Sequence, residues 1–346
     1  MTFGERLREL RLTRKMTQED LAKQVSLEKM SISKYETGKM LPSSTTLIAL
    51  SKIFDVKVDY FFREYQAKLT AAPQFRLKNS AILTKTDQER IRRQAECAVE
   101  NLMEIADICN YKPDTLTREK LREKVRHSED VERLAQKIRT SWNLGLDPIE
   151  NLMEVAETHG FTIILVEGPK QFDAAVFIDE EYGPVIALHR GAQKDRQRFT
   201  LAHELGHYFI RDDTAQSEFW NAETQANRFA AALLVPREML LKDVGEKREN
   251  LSAAELCMLR EKYGVSISAL LSRMESLGII SNALKTKWNT QYPEPGRKDT
   301  VREREEPRMV RKLVYRSVAE GYISERKGKE LLIEGFFGSS PEEADA

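Results

Sequence analysis

The chain has 346 residues, 41% hydrophobic and 32% charged, with 55 Lys/Arg offset by 55 Asp/Glu. That length predicts two or three units with cores of their own, and zero net charge confines any nucleic-acid contact to a local patch. Three cysteines with no CxxC pair (Cys97, Cys109, Cys257) argue against a disulfide framework or a thiolate zinc site. The opening MTFGERLREL lacks the apolar run of a signal peptide and FAAALLV is too short to span a bilayer, so the expected location is the cytoplasm, with no membrane partner.

Residues 3–62 predict short helices. Leu7 and Leu10 share a face of the first, and MTQEDLAKQV starts the second with Thr17 as N-cap and Asp20 closing an approximate capping box. KMSISKYETG gives a third, ending at Gly38. LPSSTTLIALSKIF gives a fourth with Leu47, Leu50 and Phe54 on one side, and VDYFF closes the unit. Residues 66–85 have weak periodicity and read as a linker. A long helix then runs from Gln88 with Ile91, Ala95, Ala98, Leu102, Ile105 and Cys109 in a heptad-like stripe. The stripe is too short to claim a coiled coil, so packing on the chain's own core is preferred over a homodimer seam.

LDPIENLMEVAETHG predicts a helix with Asp147 as N-cap, Pro148 at its first position and Gly160 past its end. FTIILVEG, AAVFID and GPVIALH read as three strands, the last two joined by a turn containing glycine. A helix beginning near Asp195 follows, then a second that stops at Pro236. Beyond about Pro293 the sequence is dense in both charges and reads as a solvated helix or linker. Expected boundaries are 1–65, 66–127 (linker and helical connector), 128–285 and 286–346 (charged tail). The expected fold class is multidomain, an all-α unit followed by an α+β domain with a small sheet.

The helix beginning near Asp195 carries FTLAHELGHYFI. On a helix, residues i and i+4 lie nearly above one another, so His203 and His207 can direct their imidazoles at one ion. Glu204 lies a third of a turn away, where it can take a proton from water. Zinc hydrolases need this arrangement: nitrogen ligands, a third protein ligand, an open position and a base. Glu223, on the next helix, is the candidate third ligand. Asn227, one turn on, sits among Ala226, Phe229, Ala230 and Ala231, where an amide needs a partner; a bond to a ligating histidine supplies one and fixes its tautomer. Manganese or iron would also suit such a donor set, with one ion per chain. Taken singly, Glu223 reads as a surface acid; beside HELGH the ligand reading is preferred. His127, His159 and His189 have no ligand spacing, and His159 belongs to a helix end, where a cation suits the dipole.

RFTLAHELGHYFI followed by ETQANRFAAALLVP resembles the ImmA/IrrE family of metallopeptidases, and the resemblance covers about residues 128–285. It implies a zincin-like fold with a gluzincin-type site. His203, His207 and Glu223 would be the ligands and Glu204 the catalytic base. It also implies an activity, cleavage of a helix-turn-helix repressor. No transition-state stabiliser maps; Arg198, Tyr208 and His189 are candidates that read more readily as structural or merely exposed.

TQEDLAKQVSLEKMSISKYETGK has the layout of a helix-turn-helix, in which Leu21, Ala22 and Val25 pack one helix and Ile32 and Tyr35 the next. Outward residues of the second helix include Lys29, Met30, Ser31, Ser33 and Lys34. Residues 1–40 hold nine Lys/Arg and six Asp/Glu, an excess that favours phosphate. This region resembles the Xre family of phage-repressor-like DNA-binding domains over residues 3–62. The resemblance implies that Gln18 contacts phosphate or base and that Lys29, Met30 and Lys34 read bases of an operator. Two positions depart from the family pattern: Ser26 stands for the turn glycine and Glu28 for the N-cap Ser/Thr. LREKYGVSISALLSRMESLGII has a similar layout and reads as a structural helix pair.

The preferred function is a DNA-binding zinc endopeptidase that cleaves a helix-turn-helix repressor or antitoxin, in trans or within its own linker. The alternatives are a regulator that cuts nothing and an antitoxin-like protein that binds a toxin. An intact Glu204 argues against the first of these, since a structural zinc site needs no base; the second is the weaker reading.

Overall fold

A computed structural model describes residues 2–14, 16–54, 58–62, 67–69, 74–77, 83–211, 221–291 and 305–335. The chain divides into two units, residues 1–68 and 69–346.

The first unit is helical throughout its described residues: α1 (Phe3–Thr13), α2 (Gln18–Gln24), α3 (Lys29–Glu36), α4 (Ser44–Phe54) and a 3-10 turn at Val58–Phe62. Capping boxes start two helices, with Thr2 and Glu5 at α1 and Thr17 and Asp20 at α2. Leu7, Leu10, Leu21, Ile32, Leu50 and Phe61 meet in a fully buried core. Gly4 lets α1 approach the end of α3, because a Cβ there would stand 2.5 Å from the Glu36 carbonyl oxygen. The buried Arg11–Glu36 pair ties the same two helices, with Arg11 Nη2 donating to Glu36 Oε2 at 3.0 Å.

The second unit runs β1 (Gln74–Leu77), α5 (Lys85–Cys109), α6 (Thr115–Lys120), β2 (Glu123–Lys124), α7 (Ser128–Ser141), α8 (Leu152–Thr158), β3 (Thr162–Val166), β4 (Phe172–Asp179) and β5 (Gly183–His189). It continues with α9 (Lys194–Phe209), β6 (Ile210–Arg211), α10 (Ala222–Leu234), α11 (Arg237–Val244), α12 (Ala253–Tyr263), α13 (Ile267–Ser276), α14 (Asn282–Gln291), α15 (Met309–Ala319) and α16 (Glu325–Gly335). Its sheet has the order β1-β4-β5-β3, antiparallel except for the parallel β5–β3 pair, and β2 with β6 forms a separate parallel ribbon.

The sheet is a middle layer. Ile163, Leu165, Ala174, Ile186 and Leu188 join one core with Leu201, Ala202 and Leu205 of α9. The alternate residues Ile164, Val166, Ala175 and Phe177 are equally buried, and α5 packs against β3 and β5. Burial on both faces explains why TIILV reads as an unbroken apolar run. The stripe Ile91, Ala95, Ala98, Leu102 and Ile105 of α5 is fully buried within this unit, so packing on its own chain accounts for it. α12 and α13 likewise pack on the same core through Leu256, Leu259, Leu270 and Met274.

Three expectations change. The helix expected from Asp147 begins at Leu152, capped by the Asn151 side chain. Arg139 donates to the carbonyls of Gly145 and Asp147, and Arg198 to that of Ile149. These bonds hold the preceding residues in a non-helical path, which the local Asp-Pro signal does not reveal. The stretch read as a linker includes β1, a four-residue strand too short to register as a periodic pattern; residues 70–73 and 78–82 lie outside the described set.

The charged tail also differs from a solvated helix. Glu305 is 2% exposed and accepts from Arg198 Nη1 at 2.9 Å on both oxygens, while Arg198 itself is 0% exposed. Glu157 Oε2 receives the backbone N–H groups of Arg308 and Met309, and α15 and α16 pack on α5. Burial pushes the Glu157 carboxyl up to about 8 against those two hydrogen bonds. Composition alone hides this because the buried charges find their partners more than a hundred residues away.

Candidate functional site

Helix α9 enters the core with Thr200 to Gly206 buried on all sides, so its polar residues must find partners inside the protein. Gly206 sets the spacing to α10: a Cβ would stand 3.1 Å from Ala226 Cα and 3.1 Å from Phe229 Cδ1. The Asn221 side chain caps α10 by accepting from Thr224 N–H, which places Glu223 in the first turn beside α9.

Four polar side chains converge there. His203 Nε2 and His207 Nε2 are 2.9 Å apart. The Glu223 carboxylate reaches both, with Oε2 3.3 Å from His203 Nε2 and Oε1 3.0 Å from His207 Nε2. On the far side of its ring, His203 Nδ1 lies 2.8 Å from Asn227 Oδ1. The amide oxygen only accepts, so Nδ1 carries the hydrogen and Nε2 presents its lone pair to the cluster.

This donor set fits a divalent cation. Burial, Arg76 and His207 depress the His203 imidazole to about 3, and burial first of all lowers His207. A proton is therefore a poor occupant of the space between two nitrogens and a carboxylate. Two imidazole nitrogens and a carboxylate oxygen lie within 4.8 Å of one another, the donor types and the spacing that a divalent cation takes. Among the described residues this is the one cluster of three or more His, Cys, Asp or Glu able to hold an ion.

Glu204 is 6% exposed, and burial raises its carboxyl to about 7, with Glu223 adding to the rise and Arg76 opposing it. Its Oε1 stands 3.8 Å from Arg76 Nη1. Arg76 is the residue that sequence reasoning missed. It lies on β1, and the available signal was a basic residue between Phe75 and Leu77 in a short extended stretch after Pro73.

The other candidates point elsewhere. Arg198 is committed to Glu305 and Ile149. Tyr208 accepts from Arg118 Nε at 2.9 Å and donates to Glu119, and burial pushes its hydroxyl up to about 12. His189 is buried against the Gly168 carbonyl. His159 stacks on Trp142 with ring centroids 4.7 Å apart, and burial lowers its pKa, which works against the helix-end cation expected from sequence.

In the first unit, α2 and α3 are joined by a turn in which Ser26 takes a left-handed φ of 55°. That conformation costs about 1–2 kcal/mol for a residue with a Cβ. Glu28 stands at the N-cap of α3 without a side-chain capping bond. Lys29, Met30 and Lys34 are exposed on α3, Met30 at 63%, whereas Ser31 is half-buried. Gln18 opens α2, and its Nε2 donates to Glu36 at 2.7 Å, so one of its two amide hydrogens is already engaged.

Comparison with known proteins separates the same two regions. Residues 7–61 match the family model described as helix-turn-helix, and residues 156–275 match the model described as IrrE N-terminal-like domain. The chain thus joins a region similar to helix-turn-helix domains to one similar to the IrrE N-terminal-like domain. The HTH-type transcriptional activator BcrR of Enterococcus faecalis is 42% identical over 59 residues, 17% of this chain and 29% of that protein. The radiation response metalloprotease IrrE of Deinococcus radiodurans is 34% identical over 98 residues, 25% of this chain and 29% of that protein. The chain thus spans under a third of either relative. A solved structure of Bacillus thuringiensis PlcR with the peptide PapR7 and DNA aligns over 96% of this chain and 92% of its own, at 12% identity and a TM-score of 0.19. No described helix is long and apolar enough to cross a membrane.

Proposed function

We propose that the chain is a cytoplasmic, DNA-binding, zinc-dependent endopeptidase that regulates transcription by cleaving a helix-turn-helix repressor or antitoxin. The observation that carries this reading is the convergence of His203, His207 and Glu223 with a buried carboxyl, Glu204, beside them. In this reading the first three hold the metal in a gluzincin-type site on a zincin-like fold. A divalent ion there would polarise the scissile carbonyl and acidify water.

The chain's own residues do the rest. Glu204 takes a proton from the attacking water on its carboxylate and delivers it to the leaving amine nitrogen. Its surroundings suit both transfers, because a carboxyl raised towards neutrality both accepts and donates near pH 7. Asn227 holds the His203 tautomer that leaves Nε2 free to ligate. Asn227→Ala is expected to weaken zinc binding by roughly 10- to 100-fold, read by competition with a chelating dye. Unchanged affinity would remove Asn227 from the site.

The first unit would bring this activity to an operator. Lys34 and Lys29 are exposed cations on α3, the helix that would enter the major groove; Met30 and Gln18 complete the contact set carried over from the Xre resemblance, and Ser31 joins it from its place on the helix. Lys34→Ala is expected to weaken duplex binding and, if it touches phosphate, to lower the slope of log K against log salt by about 1. A loss confined to one operator sequence would make it a base reader instead.

The reading is tested by incubating the zinc-loaded chain with helix-turn-helix regulators encoded beside it and mapping any cuts by mass spectrometry. Cuts in one regulator that vanish with Glu204→Gln support it; an intact set with a fully loaded enzyme contradicts it. Cleavage within the chain's own residues 66–85 is the second arrangement.

A further inference from the structure

We infer that the strand Gln74–Leu77 is a built-in strap: it occupies the sheet edge to which an extended peptide would add, and Arg76 pins it over Glu204. The inference rests on the peptidase reading for its consequence, inhibition, but not for the occupancy itself.

Without β1, the edge of the sheet would be β4, antiparallel to β5 and packed against α9. An exposed edge offers a row of unpaired N–H and C=O groups, the usual platform for an added peptide strand. β1 takes that row in antiparallel register, with Gln74 opposite Val176, Phe75 opposite Ala175 and Arg76 opposite Ala174. A peptide entering beside α9 needs the same backbone groups of β4, so it and β1 exclude one another.

Arg76 supplies the second contact. Its Nη1 and Glu204 Oε1 are both buried without a hydrogen-bond partner, and they face each other at 3.8 Å. The guanidinium thus lies against the carboxylate that, in the peptidase reading, has to meet water and a scissile bond. The strap is short: four residues, with a register irregularity between Arg76 and Leu77. So short a ladder adds little stability of its own, which makes it displaceable by a better-matched peptide.

The test uses the full chain in a chelator, so that nothing is hydrolysed, and a fluorescein-labelled peptide of residues 70–82 as the probe. In one variant, Phe75→Pro and Arg76→Pro are combined. Successive N–H groups of a strand alternate in direction, so this pair removes at least one donor aimed at β4. Arg76→Glu is the second variant, which keeps the backbone and sets like charges against each other at Glu204. Both are expected to bind the peptide at least tenfold more tightly than the wild type, by fluorescence anisotropy. Equal affinity in all three proteins, or no binding to any, would overturn the inference. With zinc restored, the strap predicts faster turnover of the same peptide by the variants and an uncut segment 74–77 in the wild type. Slower turnover would make Arg76 part of the chemistry, and a cut within 74–77 would make the strand a substrate; either overturns the strap. Tighter peptide binding with no hydrolysis by any zinc-loaded form would instead sink the peptidase reading and leave the occupancy standing.

Discussion

Glu204→Gln is expected to lower peptide hydrolysis by roughly 100- to 10,000-fold while leaving zinc content and duplex binding at wild-type levels. Glutamine keeps the size and one hydrogen-bonding oxygen of glutamate but has no basic carboxylate to receive a proton from water. The site around it would not collapse, because His203, His207 and Glu223 are positioned by α9, α10 and Asn227 rather than by Glu204. The replacement also removes a buried carboxyl that desolvation holds at about 7, so no loss of stability is expected at neutral pH. Activity should be followed with the regulator cut by the wild type, and metal by elemental analysis of the same samples. If hydrolysis survives, the proton is handled by another group. If regulation in cells survives while hydrolysis is lost, the metal domain senses or binds a partner without cutting it.

The second large effect is on stability. Glu305→Ala is expected to destabilise the second unit by about 3–5 kcal/mol, because it leaves the Arg198 guanidinium buried without its counter-charge. Arg198 donates to both Glu305 oxygens at 2.9 Å and to Ile149 O at 2.6 Å, and the Leu152 N–H also donates to Glu305 Oε1 at 2.9 Å. The carboxylate therefore joins three things: the tail, the start of α8 and the helix that carries His203. Arg198→Met combined with Glu305→Leu should recover much of the loss, since removing both charges also removes their desolvation. Urea denaturation followed by tryptophan fluorescence measures each variant, with Trp142 buried in the same core. A loss below about 1 kcal/mol for Glu305→Ala would mean that the pair is open to water.

What was readable from sequence depended on how local the determining interactions are. The Thr17–Asp20 capping box, the stripe from Ile91 to Ile105 and the strand run TIILV each carry their pattern within a few residues, and the corresponding elements stand where the pattern puts them. HELGH and ETQAN sit on adjacent helices, and the structure brings His203, His207, Glu223 and Asn227 together. Asn227 was legible for a physical reason: an amide on an alanine-rich helix face needs a partner.

The failures are long-range. Arg139 and Arg198 fix the backbone before α8 through carbonyls that no local pattern identifies, and so displaced the expected helix start from Asp147 to Leu152. Glu305 looks like one more surface acid among VREREEPRMVRK until Arg198 is seen opposite it. Arg76 was hidden for the same reason. Its significance lies in its distance to Glu204, 128 positions along the chain, and a four-residue edge strand leaves almost no periodic trace.

The most direct measurement is the metal content of the full chain purified without added metal, as wild type and as Glu223→Ala, by elemental analysis. The proposed site predicts close to one zinc per wild-type chain and its loss in the variant, with both proteins equally folded by circular dichroism. A folded wild type without metal, or a variant that keeps its zinc, would contradict the three-ligand centre and leave HELGH as a helix that merely carries two histidines.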